Sequence, residues 1–195
     1  MATKLTKKEI ALSKAMSWLL RHGIVEKGLA MDVAGFIHVA DMLALPEFAG
    51  YTFDQIKKVV DTNQKQRFLL VEKTNPVTNE PEWLIRANQG HSADVGAQIV
   101  DGECLTLTQF PPGTYGYHAT TEDAWQIIQK EGLKPMSRKH VHLAMQPDAK
   151  AGLRGNRPVI LQVELTSEIQ WYVSANNVIL TEATIPPNWI TRLRL

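Results

Sequence analysis

Cysteine is almost missing from this chain of 195 residues, where Cys104 stands alone. One thiol excludes an intrachain disulfide and any metal site built from several thiolates. Long apolar runs are missing too, and none approaches the length that crosses a bilayer. The opening MATKLTKKEI carries no apolar signal core, so a cytoplasmic protein without membrane contact is expected. Excess charge of one sign is lacking: the net charge is +1, which argues against a general polyanion binder. There is no internal repeat, no low-complexity tract, and no GxGxxG, Walker loop, HExxH or GxSxG.

What is present begins with an apolar content of 44%, enough for a real core. Charge is uneven despite the neutral total. From Lys130 to Arg157 there are seven Lys/Arg against Glu131 and Asp148, locally +5. A solvated basic face and an anion-binding wall are both open for that stretch. Arginines and histidines gather in short clusters, each at the end of an apolar run. They are Arg21-His22 closing LSKAMSWLLRHG, Arg86 to Ser92 in WLIRANQGHS, His118 in GYHAT, and Arg138 to His142 in MSRKHVHL. Guanidinium is permanently charged and forks onto phosphate oxygens, so converging arginines point to phosphate or carboxylate. Paired acids are missing from these clusters, which leaves cation positioning as the available chemistry.

Along the chain, Thr6 to Glu9 reads as a capping box opening a helix with Ile10, Leu12, Met16, Leu19 and Leu20 as its stripe, ended by Gly23. A turn and a short extended piece surround Gly35, and a short helix stops before Pro46. Thr52 to Gln55 is a second capping box, for a helix carrying Ile56, Val59 and Val60. RFLLVEK and EWLIRAN read as strands joined by TNPVTNEP. Helices followed by a hairpin suggest a winged-helix-like lobe ending near Ser92. The weakly periodic stretch from Ala93 to Gly113 holds the boundary, drawn between residues 105 and 106. Beyond it TYGYHAT is a strand, and Thr120 caps a helix with Ala124, Ile127 and Ile128 inward, ended by Gly132. KHVHLAM, PVILQVEL, QWYVS and NVILT are strands, and PPNWITRLRL supplies an edge strand. The fold class is therefore α+β, with residues 106–195 forming a β-rich lobe.

Each cluster also has a plain reading. Cations such as Arg21 and His22 complement a helix C-terminus. An arginine such as Arg86 on a strand usually faces solvent, although this one runs into the hydrogen-bonding loop Asn88 to Ser92. His140 and His142 alternate along a strand, but no Cys, Asp or Glu accompanies them at close spacing, so no metal is expected. His118 precedes a helix start, where backbone amides can meet an anion.

Together the strings LSKAMSWLLRHG, DVAGFIHVADML, RFLL, IRANQGHS, YHAT, EGLKPMSRKHVHL, GLRGNRPVILQVEL and NNVILT resemble the RNA 2′-phosphotransferase family, in the family's order and over nearly the whole chain. The resemblance implies an enzyme of RNA processing, including tRNA splicing, with NAD as co-substrate and no metal. It implies an N-terminal winged-helix lobe for the RNA phosphate and a C-terminal lobe of the ADP-ribosyltransferase fold for NAD. The catalytic Arg-His pair falls on Arg21 and His22, and two further essential arginines on Arg86 and Arg138. Lys14, Gln89, His91 and Ser92 are the remaining candidates for the RNA phosphate. His118, Ala119, Thr120, His142, Gly152, Arg154 and Asn177 are the candidates for NAD. Ala119 and Asn177 stand where the family's motifs have glycine.

The implied reaction has two steps. The RNA 2′-phosphate attacks C1″ of the nicotinamide ribose and nicotinamide leaves; ribose O2″ then attacks the phosphorus. Products are RNA with a 2′-OH and ADP-ribose 1″,2″-cyclic phosphate. The partners are an RNA carrying an internal 2′-phosphate and NAD, and a monomer is expected. Two other classes remain open. One is a winged-helix regulator that binds nucleic acid, though Thr52 to Asp61 sets Lys57 and Lys58 against Asp54 and Asp61. The other is an ADP-ribosyltransferase acting on protein or on nucleic-acid phosphates.

Overall fold

In the computed structural model, which describes residues 5–149, 151–152 and 157–193, helix α1 (Lys7–Trp18) begins at a reciprocal cap. The Glu9 amide donates to the Thr6 hydroxyl at 3.2 Å, and the Thr6 amide donates to the Glu9 carboxylate at 2.7 Å. Leu12, Met16 and Leu20 lie inward with no exposed surface. Gly23 does not end this helix. The backbone widens into a π-turn, Leu19–Gly23, and keeps turning until Gly28, whose φ is 64°. There Leu29 N–H donates to Ile24 C=O and Gly28 N–H to Val25 C=O, both at 3.1 Å, the paired bonds of a Schellman end. Gly23 is small for a different reason. A Cβ on it would lie 2.5 Å from Cζ3 of Trp18, so the indole occupies the place of a side chain.

Strand β1 (Ile37–His38) leads into α2 (Val39–Ala44), a single turn at Pro46–Phe48, and α3 (Phe53–Asp61) behind its own Thr52/Gln55 capping box. Strands β2 (Phe68–Thr74) and β3 (Pro81–Ala87) form an antiparallel hairpin in which Phe68 faces Ala87 and Thr74 faces Pro81. Strand β1 adds to the other side of β3, giving the order β1-β3-β2. Ile37, Met42, Ile56, Val59 and Ile85 are exposed by 1% or less. Two one-turn helices, α4 (Ala93–Gly96) and α5 (Asp101–Cys104), occupy the stretch whose periodicity is weak. The chain divides into two compact units, Met1–Glu103 and Cys104–Leu195.

The second unit is built on one antiparallel sheet of seven strands in the order β10-β7-β5-β6-β9-β8-β4. Its members are β4 (Leu105–Thr108), β5 (Tyr115–Thr120), β6 (Val141–Ala144), β7 (Val159–Glu164), β8 (Trp171–Ser174), β9 (Val178–Thr181) and β10 (Ile190–Arg192). Strand β4 was not expected from the sequence; its LTLT alternation is short and lies where the lobe boundary was drawn. Strand β10 is an edge, pairing Ile190 with Val163. Helix α6 (Glu122–Glu131) is capped by Thr121, not Thr120. Thr120 is the last residue of β5 and is buried, whereas the Thr121 hydroxyl accepts from the Ala124 amide at 3.3 Å. This one-residue shift turns Ile128 inward and leaves Ile127 56% exposed, correcting the expectation that both are buried. Between β7 and β8 the short connection is closed by the Trp171 indole N–H, which donates to Thr166 C=O at 2.7 Å. Among the described residues, no helix is long and apolar enough to cross a membrane.

Candidate functional site

In the first unit, Arg21 and His22 lie in the last turn of the π-helical stretch Leu19–Gly23 that continues α1. Such turns add a residue to the helix and splay the side chains that follow, and they recur at functional sites. The loop after β3 fixes this turn by its backbone. The Ser92 amide donates to the Arg21 carbonyl at 2.9 Å, and its hydroxyl oxygen lies 3.0 Å from the same carbonyl. Gly90 lies under the Arg21 side chain: with φ 91°, it would place a Cβ 3.3 Å from Nε and 3.4 Å from Cζ. A side chain there would be conformationally strained and would press on the guanidinium. Ser92 also precedes α4 and hydrogen-bonds the Asp94 carboxylate. That bond first, the Val95 amide next, and the nearby His22 charge together hold the Asp94 carboxyl below its ordinary range.

Two cations that sequence reading passed over join this group. Burial keeps the Lys65 ammonium below its usual value, and the charges of Arg67 and Arg21 push it the same way. Burial also lowers Arg67, though a guanidinium remains charged at neutral pH. Lys65 therefore lies in the field of two guanidinium groups, an environment that favours an incoming anion. Hairpin register holds the signal that finds them. If Phe68 faces Ala87, the next pair outward is Arg67 and Asn88, and the Asn88 amide does donate to Arg67 C=O at 2.9 Å.

Arg86 sits differently. It is 7% exposed, its Nη1 donates to Ala34 C=O at 2.9 Å, and its guanidinium lies 4.8 Å from the Phe36 ring centroid. The loop it holds is shaped by Asp32, whose carboxylate accepts from the Ala34 and Phe36 amides at 2.9 and 2.8 Å. His91 is buried nearby, with Nε2 4.0 Å from where a Gly35 Cβ would stand. Lys14 is exposed on α1, and Gln89 is half-buried in the loop after β3.

In the second unit, His118, Ala119, Thr120 and His142 lie on the neighbouring strands β5 and β6, and Arg138, Gly152 and Asn177 on turns. His118 on β5 places Nδ1 3.1 Å from the backbone carbonyl of His142 on β6. A carbonyl accepts only, so Nδ1 carries the proton and Nε2 of the neutral ring is an acceptor. Ala119, Thr120, His140 and His142 are all buried. Gly152, with φ 83°, lies against β6 so closely that a Cβ would stand 2.9 Å from the Ala144 Cα. Asn177 has φ 58° and is exposed in the β8–β9 turn, where its amide donates to Ser174 C=O at 2.9 Å. Arg138 closes a turn by donating to Pro135 C=O at 3.2 Å, with Met136 at φ 60° between them. Arg154 lies outside the described residues.

Residues 7–183 match the family model described as RNA 2′-phosphotransferase, Tpt1 / KptA family. The chain belongs to the RNA 2′-phosphotransferase family. Its enzymes are transferases. The human tRNA 2′-phosphotransferase 1 is 37% identical over 183 residues, covering 89% of this chain and 69% of its own. A probable RNA 2′-phosphotransferase of Flavobacterium johnsoniae is 36% identical, covering 92% of this chain and 94% of its own. That of Pseudomonas syringae pv. tomato is 32% identical, with 93% of each chain covered.

Proposed function

We propose that this transferase removes an internal 2′-phosphate from RNA by transferring it to NAD. The observation that carries the reading is the fixing of Arg21 on a π-turn, by the Ser92 amide at its carbonyl and by Gly90 beneath its guanidinium, with Lys65 in the field of both Arg21 and Arg67. In this reading the first unit is a winged-helix-like lobe and its cations hold the 2′-phosphate. Permanent charge on Arg21 and Arg67 suits a dianion, and His22, close to Asp94, adds a proton-bearing donor. An anionic nucleophile needs positioning more than deprotonation, so no general base is required for the first step. Arg86 serves the same site by locking the Ala34–Phe36 loop and the end of β3.

The second unit, in the same reading, is an ADP-ribosyltransferase-type lobe that binds NAD as a substrate. Its donor set suits that molecule: an imidazole of fixed orientation at His118 and a hydroxyl at Thr120, with Gly152 letting its own loop pack against β6. The acceptor Nε2 of His118 matches a carboxamide or ribose hydroxyl. Arg138 acts in the second step. As O2″ bonds to phosphorus, negative charge builds on the equatorial oxygens, and a planar fork stabilises it best.

Incubation with NAD and an oligoribonucleotide bearing one internal 2′-phosphate tests the proposal. The expected products are the 2′-OH oligonucleotide and ADP-ribose 1″,2″-cyclic phosphate, with none formed when NAD is omitted. Phosphate release without NAD, or ADP-ribose left permanently on the RNA, contradicts it.

A further inference from the structure

We propose that Asn63 is a positioning residue for the phosphate site, aiming the Arg67 guanidinium through a neutral amide, on a loop that Asn88 clamps. This rests on the reading of Arg21, Lys65 and Arg67 as the 2′-phosphate site. Asn63 is 8% exposed, and its Oδ1 accepts from the Lys65 amide at 3.1 Å and from Arg67 Nη1 at 3.3 Å. Its backbone carbonyl accepts from the Gln66 amide at 2.8 Å. The loop so formed turns back through Gln66, whose φ of 43° is disfavoured for any residue with a Cβ and persists where surrounding bonds enforce it. Asn88 enforces it from the other side. It is 6% exposed, donating from its backbone to Arg67 C=O at 2.9 Å and from Nδ2 to Gln66 C=O at 2.6 Å.

The choice of amides decides what the loop is for. Carbonyls can only accept, so the Asn88 amide must turn its nitrogen to Gln66. Its Oδ1 is then buried without a hydrogen-bond partner among the described residues. An orphaned acceptor is costly, and the cost is tolerated where the donating half is required. Elsewhere in this unit, cations are held by carboxylates: Lys27 by Glu47, Lys57 by Asp61 and Lys58 by Glu9. A carboxylate at position 63 would hold Arg67 as firmly, but would cancel the charge that an incoming phosphate needs. An amide holds the guanidinium and leaves its charge whole.

Asn63→Asp separates aim from charge, since it keeps the accepting oxygen and adds a negative charge. Binding of a short oligoribonucleotide with one internal 2′-phosphate, and of its 2′-OH twin, is measured across a salt series without NAD, together with thermal unfolding. The expected result is an unfolding temperature at or above that of the wild type, about ten-fold weaker binding of the phosphorylated oligonucleotide, and a shallower salt dependence by about one unit. Wild-type affinity and salt slope in Asn63→Asp overturn the inference. A wild-type protein that binds both oligonucleotides equally overturns the phosphate-site reading itself, and this inference with it. Should Asn63→Asp unfold early, Asn88→Ala decides, because it removes the Gln66 clamp and leaves the charges alone. A raised KM for RNA with unchanged KM for NAD supports the positioning role, and an unchanged KM for RNA overturns it.

Discussion

The first unit sets most of its candidate cations on irregular backbone, Arg86 on β3 excepted, whereas the second sets its histidines His118 and His142 on strands and Arg138 on a turn. Arg21 and His22 occupy a π-turn, Lys65 and Arg67 a loop entering β2, and Ser92 the start of a one-turn helix. His118, Thr120 and His142 instead lie on β5 and β6, in a seven-stranded sheet where hydrogen-bond register places them. The difference follows from what each is proposed to hold. A phosphate needs several long cations meeting at one point, and only loops and widened turns can bring them from distant parts of the chain. A dinucleotide needs a few short donors at fixed spacing, which adjacent strands supply without special backbone.

If this division is right, substitutions in the two units fail in different ways. The largest effect is expected for Arg21→Ala and Arg67→Ala, each costing ~3 kcal/mol of transition-state stabilisation, read as a fall in kcat/KM for RNA with unchanged thermal unfolding. Near-normal turnover in both variants would remove the cation site from the mechanism. In the second unit, Arg138→Ala should accumulate ADP-ribosylated 2′-phospho-RNA in a time course with labelled RNA phosphate, and Arg138→Lys should rescue it poorly. Slow consumption of RNA with no intermediate would move Arg138 to the first step or to binding.

Arg86→Ala sharpens the contrast inside the first unit. Because Arg86 braces Ala34 and Phe36, stability and activity should fall together, the stability by about 1–3 kcal/mol, as followed by denaturant unfolding. A smaller, purely structural effect is expected at Glu9. Lys58 foremost, with the Thr6 amide, lowers its carboxyl from 4.5 to about 2. A depressed folded-state value gives stability that is present above the unfolded value and fades as pH falls from about 4.5 towards 2. Glu9→Gln should therefore narrow the stability gap to wild type across that window, and an unchanged gap would show that the pair contributes nothing.

Much of this was legible before any coordinates. Both capping boxes, the β2–β3 hairpin and the edge strand β10 follow from local patterns, in which a few side chains determine the backbone. Three features escaped for physical reasons. Gly23 reads as a helix end, yet its smallness serves the Trp18 ring, and the Schellman glycine is Gly28. The cap of α6 moved by one residue because consecutive threonines at 120 and 121 give equal local signals, and strand pairing with Val159 claims the first. Lys65 and Arg67 carry no local motif that marks them as site residues, because the proximity of Lys65 to Arg21 depends on tertiary structure. Arg86 is legible as a strand residue beside a polar loop, but its bond to Ala34 and its packing on Phe36 depend on tertiary contact.

The division of labour is tested most directly by binding a 2′-phosphorylated oligoribonucleotide, without NAD, to the full chain carrying Arg67→Ala or His118→Ala. The account predicts that Arg67→Ala loses most of the wild-type affinity and His118→Ala keeps it. Loss of RNA binding in His118→Ala with retention in Arg67→Ala would contradict it.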